Sequence, residues 1–419
     1  MSSAPNDDET TAPWADLLPE VCDNVLDRLD AVSVIRFPAA CISWAAASKT
    51  NPRLRSGTPA LLTSGLDPEG YDTEHDVEAG AFGLHDISTG KSYAGEAQGL
   101  KARTWVGGKD DWLVTTDLNC GVELLNPITG DRVPLPSFTA IQGVRAQGLS
   151  DYGDLHIAIS NRWYHFQQVT LCQTPAHPNG FLAVALFYSG GLGLISFTAA
   201  GGDDSRRWTP LKNPEWVDYL LYTDVNFHDG KVVAVTEAGD IYSWDMDGAG
   251  AQPTWLPGPE VDIGDALMRG FYFATVGAGA GGGNLQVVCM FGHGANEDKR
   301  IGQRIVYKDQ WCFFVRRVTL HELDAAAGEW RRVRDLGGDR ALFVWGNYPF
   351  YVTVPPGGSK DLQAECVHVA DLVNCVAAVF DLKLEDDYEY EFERRLDYPA
   401  MGDSLQNPMW YRPTAHPLA

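Results

Sequence analysis

The feature that most constrains this chain is an outline that recurs after residue 80: a short apolar strand, a tight turn, a second strand, a polar stretch, and an exit bearing Trp or Pro. Its clearest copies are WLVTTDLNCGVELLNPITGDRVPLP at 112–136, FLAVALFYSGGLGLISFTAAGGDDSRRWTPL at 181–211, VNFHDGKVVAVTEAGDIYSWDMDGAGAQPTWLP at 225–257 and FFVRRVTLHELDAAAGEWRRV at 313–333. Such segments cannot bury both faces alone, so successive copies must stack. Their exits differ by one or two multiples of ~40 residues, near the spacing of propeller blades. Repeated short strands with turn signals specify an all-β domain, and nearly 340 residues is long for one sandwich. The expected fold is therefore a small all-α segment followed by an all-β β-propeller of about five to seven blades, at ~40–50 residues each.

The first 56 residues obey a different pattern. Val21, Val25 and Leu29 recur at i, i+4 and i+8 with Leu26 beside them, which places them on one helical face. Leu17-Leu18-Pro19 precedes that face, and Pro suits the first turn of a helix. A second run, Val34, Ile35, Phe37, Cys41, Ile42 and Trp44, is interrupted by Pro38, which divides it into two short helices. A unit this small cannot cover its own apolar surface, so it needs a partner, from this chain or another. The expected organisation is a disordered tail over 1–12, a helical unit over 13–56, a linker over 57–80 and the propeller over 81–419.

Composition narrows the partners. Against 32 basic side chains stand 56 acidic ones, a formal net charge of -24 that repels phosphate backbones and anionic lipid. Neither nucleic acid nor membrane is an expected partner. Residues 174–202 lack charge and match a span in length, but Tyr188-Ser189-Gly190-Gly191 at the centre marks a β-hairpin. The eight cysteines (22, 41, 120, 172, 289, 312, 366 and 375) form no C-x-x-C pair. The acidic start lacks the features of a signal peptide, and no N-x-[ST] acceptor occurs. Reduced thiols in the cytoplasm, the nucleus or both are expected.

Catalytic patterns fail individually. Asp86-Ile87-Ser88-Thr89-Gly90-Lys91-Ser92 ends like a phosphate loop, but His85 stands where the first glycine is required, so a hairpin turn is expected. Neither G-x-S-x-G nor H-E-x-x-H is present. His156 and His165 have no helical metal-binding spacing, and Asp203-Asp204 and Asp386-Asp387 read as solvated turns. Glycines 277–283 read as a flexible connection, and 385–393 as a strand with one aromatic and one acidic face. Most of the 13 tryptophans are expected between blades, with one or two left to anchor a target. No catalytic residue, cofactor or metal is expected.

LLPEVCDNVLDRLDAVSVIRFPAACISWAAAS resembles an F-box: Leu18-Pro19 at the opening, Val21, Val25, Leu26 and Leu29 in the first helix, Ile35 next, and Cys41 with Trp44 at the close. Pro38 and Ala40 depart from commoner choices. The remainder is similar to the C-terminal KIB-type β-propeller of a large plant F-box family, through EWRRVRDLGGDRALFVWG at 329–346, ECVHVAD at 365–371 and MWYRPTA at 409–415. Gly337, Asp339, Arg340, Ala341, Leu342 and Phe343 match most specifically. The resemblance implies a non-enzymatic adaptor of a Skp1–cullin–F-box ubiquitin ligase. It would bind a Skp1-like protein, and through it a cullin, while the propeller holds an unknown target protein. The expected Skp1-binding residues are Leu17, Leu18, Pro19, Val21, Val25, Leu26, Leu29, Ile35, Cys41 and Trp44. A scaffold or inhibitor working outside a ligase is the alternative, followed by a propeller enzyme such as a glycosidase.

Overall fold

The structure is a computed structural model of the 419-residue chain. It describes residues 14, 17–26, 28, 33, 36–37, 40–41, 43–44, 59–64, 80–87, 90–117, 119–141, 166–189, 192–201, 207–215, 220–246, 252–262, 267–274, 284–295, 300–301, 304–305, 312–344, 348–354, 356, 361–371, 376–383, 394–396 and 409–412. Helix α1 (Pro19–Leu26) precedes a six-bladed β-propeller. Blade 1 holds β1 (Ala60–Ser64), β2 (Ala81–Asp86) and β3 (Lys91–Glu96). Blade 2 is β4 (Arg103–Lys109), β5 (Trp112–Asp117), β6 (Val122–Leu125) and β7 (Arg132–Leu135). Blade 3 is β8 (Phe166–Gln173), β9 (Leu182–Ser189), β10 (Leu192–Ala199) and β11 (Thr209–Pro210). Blade 4 is β12 (Tyr222–His228), β13 (Lys231–Thr236), β14 (Ile241–Asp245) and β15 (Thr254–Leu256).

Blade 5 begins with β16 (Leu267–Phe273) and β17 (Gln286–Ala295). A small hairpin of β18 (Arg300–Ile301) and β19 (Arg304–Ile305) follows before β20 (Cys312–Asp324) and β21 (Glu329–Val333) complete the sheet. Blade 6 has five strands: β22 (Arg340–Val344), β23 (Phe350–Thr353), β24 (Cys366–Asp371), β25 (Val376–Asp381) and β26 (Arg394–Leu396). In it β22 runs parallel to β24 and pairs with β23 on its other edge. The last strand, β27 (Met409–Tyr411), returns to blade 1 and pairs antiparallel with β1.

The repeated outline falls on real blades, because its exits at 136, 211, 257 and 333 lie within one residue of the ends of β7, β11, β15 and β21. Six blades fall within the expected five to seven. Among the described residues, each of the two long intervals holds one four-stranded blade. The uncharged stretch is the antiparallel hairpin β9–β10, and among the described residues no helix is long and apolar enough to cross a membrane. Asp86–Lys91 is likewise a hairpin turn, with Gly90 at φ 67° and its N–H donated to Asp86 O at 2.8 Å.

One boundary is corrected. The expected linker 57–80 contains β1, which the ring requires: Leu61 and Leu62 are fully buried, with β2 on one side and β27 on the other. The propeller thus begins at Ala60. An all-α unit over 13–56 is not shown; its described part holds one eight-residue helix and isolated helical turns. A helix that short has no stability of its own in water and depends on packing. The tail over 1–12, the glycine run 277–283 and the segment 385–393 lie outside the described residues.

Tryptophan indoles join the blades. Trp208 of blade 3 donates to Pro136 O at 2.9 Å, Trp244 of blade 4 to Lys212 O at 2.8 Å, and Trp330 of blade 5 to Pro257 O at 2.9 Å. Each acceptor sits one or two residues beyond the outer strand of the preceding blade. The ring body fills the interface while its N–H finds the acceptor that burial demands.

Ring closure uses the same device. Trp410 of β27 is fully buried and donates to Val344 O at 3.1 Å; its ring meets Phe343 edge-on at 5.0 Å. Arg412 then pairs with Asp110 of blade 2, and its backbone N–H donates to Asp110 O at 3.1 Å. Glu365 secures the turn into blade 6, its carboxylate accepting the N–H groups of Leu336 at 3.0 Å and Gly338 at 2.5 Å. Gly337 and Gly338 reach that geometry at φ 99° and 86°.

Replacing Trp410 by Ala should cost about 3–5 kcal/mol, the usual range for a buried Trp. The urea midpoint of the full chain reads this, and an unchanged midpoint would show that closure does not rest on this indole. A second expectation concerns acid. His368, fully buried and stacked at 4.4 Å on Phe343, is held neutral by burial with its pKa lowered to about 4. The unfolded chain takes up that proton near 6.5, so the stability this residue contributes is complete above 6.5 and lost as pH falls toward 4. His368→Phe should therefore show a shallower fall in melting temperature than wild type between pH 6.5 and 4. Parallel curves would refute this assignment.

Candidate docking surface

Helix α1 starts at Pro19, and the N–H groups of Val21 and Cys22 both donate to Leu18 O, at 2.9 and 3.1 Å. Its inner face carries Cys22 and Leu26, each 1% exposed, which pack with Phe37. Leu17, Val25 and Trp44 flank that cluster. Trp44 stacks on Phe37 with ring centroids 4.4 Å apart, and its indole donates to Trp14 O at 2.8 Å. Half-buried Cys41 accepts the N–H of Trp44 on its sulfur at 3.4 Å. Burial and the Asp23 carboxylate raise the Cys22 thiol, keeping it protonated and apolar within the cluster.

The outer side is mixed: Glu20, Asp23 and Asn24 face water beside exposed Val21, with Leu18 and Trp14 just ahead of the helix. Leu18 is 66% exposed, Val21 41% and Trp14 67%; of the described residues, Trp255 is the other large hydrophobic at this level. A soluble helix normally turns polar side chains to water, so adjacent exposed Leu and Val mark a surface that another protein can cover.

Of the ten residues expected to dock, Leu18 and Val21 therefore face outward, while Leu17, Val25, Cys41 and Trp44 are half-buried at the edge. Leu26 lies inside the cluster, where it supports the surface rather than forming it. Pro19 opens the helix, and Leu29 and Ile35 lie outside the described residues. The sequence reading missed Trp14, because no periodicity links a residue ahead of the helix to it. It also missed the stacking of Phe37 on Trp44, which depends on how the chain folds back.

The ring axis offers a second concentration of chemistry. Innermost strands β4, β8, β12 and β16 each carry a β-bulge, and Gln168, Asp224 and Lys109 sit at or just beyond theirs. Asp224, on blade 4, accepts Gln168 Nε2 of blade 3 at 2.5 Å and the Phe273 N–H of blade 5 at 2.8 Å. Burial raises its carboxyl to about 7, against the opposing pull of those donors. Lys109 Nζ lies 2.9 Å from the centroid of the Tyr348 ring, and burial lowers it to about 8. Burial likewise pushes the Cys172 thiol up to about 12.

Gln168, Asp224 and Phe273, and Lys109 with Tyr348, join different blades, which makes them structural ties. The stretch that carries the family resemblance is structural too: Ala341, Leu342 and Phe343 are fully buried, and Arg340 donates to Leu336 O. Trp105 and Trp112 are buried, whereas Trp163, Trp216, Trp311 and Trp345 lie outside the described residues, as do His156 and His165. Among the described residues no group of three or more His, Cys, Asp or Glu could hold a metal ion.

A protein of Arabidopsis thaliana, described by its name as a candidate F-box protein, is 23% identical over 238 residues, covering 56% of this chain. The matched region spans 55% of that relative's length. Among solved structures, Hsv2 of Kluyvelomyces marxianus aligns at 8% identity with a TM-score of 0.29, over 61% of this chain and 64% of that one. The Pan2 WD40 domain of Neurospora crassa aligns at 10% identity with a TM-score of 0.27, over 50% and 53% respectively. Likeness at those scores carries no weight for function. Residues 82–392, about three quarters of the sequence, match the KIB1-4 beta-propeller family. With its six blades closed by a C-terminal strand, this chain belongs to the KIB1-4 β-propeller family.

Proposed function

We propose that the chain is a substrate-recognition adaptor of a Skp1–cullin–F-box ubiquitin ligase, acting in the cytoplasm, the nucleus or both. The observation that carries this reading is the exposed Leu18–Val21 surface on a helix whose other side is buried against Phe37. The helix offers apolar side chains to a partner, as an F-box offers them to Skp1, and the Arabidopsis relative is named for that motif. The propeller supplies a broad rigid ring that holds a target protein. Bringing the target close to the ubiquitin-loaded enzyme raises its effective concentration without new chemistry in this chain. No catalytic residue is required, and the polar groups at the axis are already committed to joining blades.

Leu18 and Val21 should behave as interface anchors, since a few large apolar side chains dominate protein–protein affinity. Leu18→Ala/Val21→Ala should weaken binding to a Skp1-like protein at least about thirtyfold, corresponding to ~2 kcal/mol, with the melting temperature of the propeller unchanged. Biolayer interferometry with the purified proteins measures this. Absence of binding by the wild type, or equal affinity in the variant, would end the adaptor reading.

A further inference from the structure

The β6–β7 turn of blade 2, residues 126–131, is more elaborately braced than a hairpin turn needs. Asn126 Oδ1 accepts the N–H groups of Ile128 at 3.0 Å and Thr129 at 3.1 Å. The Asn126 N–H donates to Asp131 O, the Gly130 N–H to Asn126 O, and the Thr129 hydroxyl to Asp131 Oδ2. The Ile128 side chain is 3% exposed and packs into the core shared by blades 1 and 2. With side chain and N–H both committed, its carbonyl is held at one position. Arg36 Nε donates to that oxygen at 2.6 Å, across 92 residues of sequence.

Arg36 precedes Phe37, whose ring is locked between Trp44 and the Cys22–Leu26 face of α1. The contact therefore positions the whole N-terminal cluster rather than one mobile side chain. The strand registers agree with it. Ala60, where the chain enters the propeller, is level with Asp86 and Tyr411, and Arg412 beyond Tyr411 pairs with Asp110 at the β4–β5 turn. The β6–β7 turn lies at that same end of blade 2, since Leu113 pairs with Leu125 beside it. Trp14, Leu18 and Val21 stay exposed while Arg36 makes the contact.

We infer that the braced Asn126–Asp131 turn is a docking site for the chain's own N-terminal segment, gripped through Arg36, which holds α1 on the ring with Leu18 and Val21 turned outward. Ring docking and partner binding then use different sides of the segment, so a ligase subunit bound to α1 has a fixed direction relative to the propeller. Only the identity of that outer partner rests on the adaptor reading.

Hydrogen–deuterium exchange of the full chain tests the docking directly. Arg36→Ala should speed exchange across residues 17–44 about tenfold, the loss of one charge-assisted hydrogen bond, while the blades keep their protection. Asn126→Ala, which loosens the acceptor turn without touching the segment, should do the same, and Arg36→Lys should restore part of the protection. Unchanged exchange over 17–44 in Arg36→Ala overturns the inference, and so does an increase spread through all six blades. Arg36→Ala should also bind a Skp1-like protein within about twofold of wild type; loss of binding would mean that one face serves both purposes and would overturn it. A wild-type chain that binds no Skp1-like protein removes the adaptor reading and leaves the exchange result to decide the docking.

Discussion

A propeller is stable only as a closed ring, because each blade covers its faces with its neighbours and an open ring leaves two blades half bare. In this chain closure depends on three residues of sequence, Met409-Trp410-Tyr411, all buried and paired with the strand that begins the ring. Trp410 locks that strand against blade 6 through Val344, and Arg412 fastens it to blade 2 through Asp110. Elsewhere the seams between blades are held by indole-to-carbonyl bonds from Trp208, Trp244 and Trp330. These residues occupy different places in their blades, yet each indole reaches the exit of the blade before. That shared purpose accounts for Trp208 and Trp330 and for the exits at Pro136 and Pro257 that they reach.

Blade 6 departs from the regular meander, and its departures serve closure. Tyr348, just ahead of β23, covers Lys109 at 2.9 Å and donates its N–H to Gly108 O. Side chains from blades 2 and 6 thus meet, as do those of blades 3 and 4. Asp224 is the clearest case, a buried carboxyl group that neighbouring blades share through Gln168 and Phe273. Such buried polar groups contribute little net stability, but each tolerates one arrangement of its partners. They fix how the inner strands sit against one another.

The N-terminal segment stands in a different relation to its surroundings. Its cluster of Cys22, Leu26, Phe37 and Trp44 is small, and α1 has eight residues. A unit of that size holds its shape by leaning on something larger, here through Arg36 and the β6–β7 turn. The residues that remain uncovered, Trp14, Leu18 and Val21, are too apolar to be explained by solubility.

The sequence by itself determined the class of fold. Alternating apolar strands and turn chemistry are local signals, so the β9–β10 hairpin, the Asp86–Lys91 turn and the blade exits were legible from nearby residues. The F-box-like spacing similarly located α1, because helical periodicity needs only one turn of neighbours to show itself. Only the tertiary structure decided the blade number within the expected five to seven, since exits spaced by one or two multiples of ~40 residues do not say how many sheets lie between them. It also decided that Ala60–Ser64 belongs to the ring, because one of that strand's two partners lies some 350 residues away at Met409–Tyr411. The division of the docking residues, Leu18 and Val21 outside and Leu26 inside, followed from Phe37 and Trp44 folding over one face of α1. Burial and pairing across such separations depend on where distant segments meet, and no local pattern in the chain encodes that.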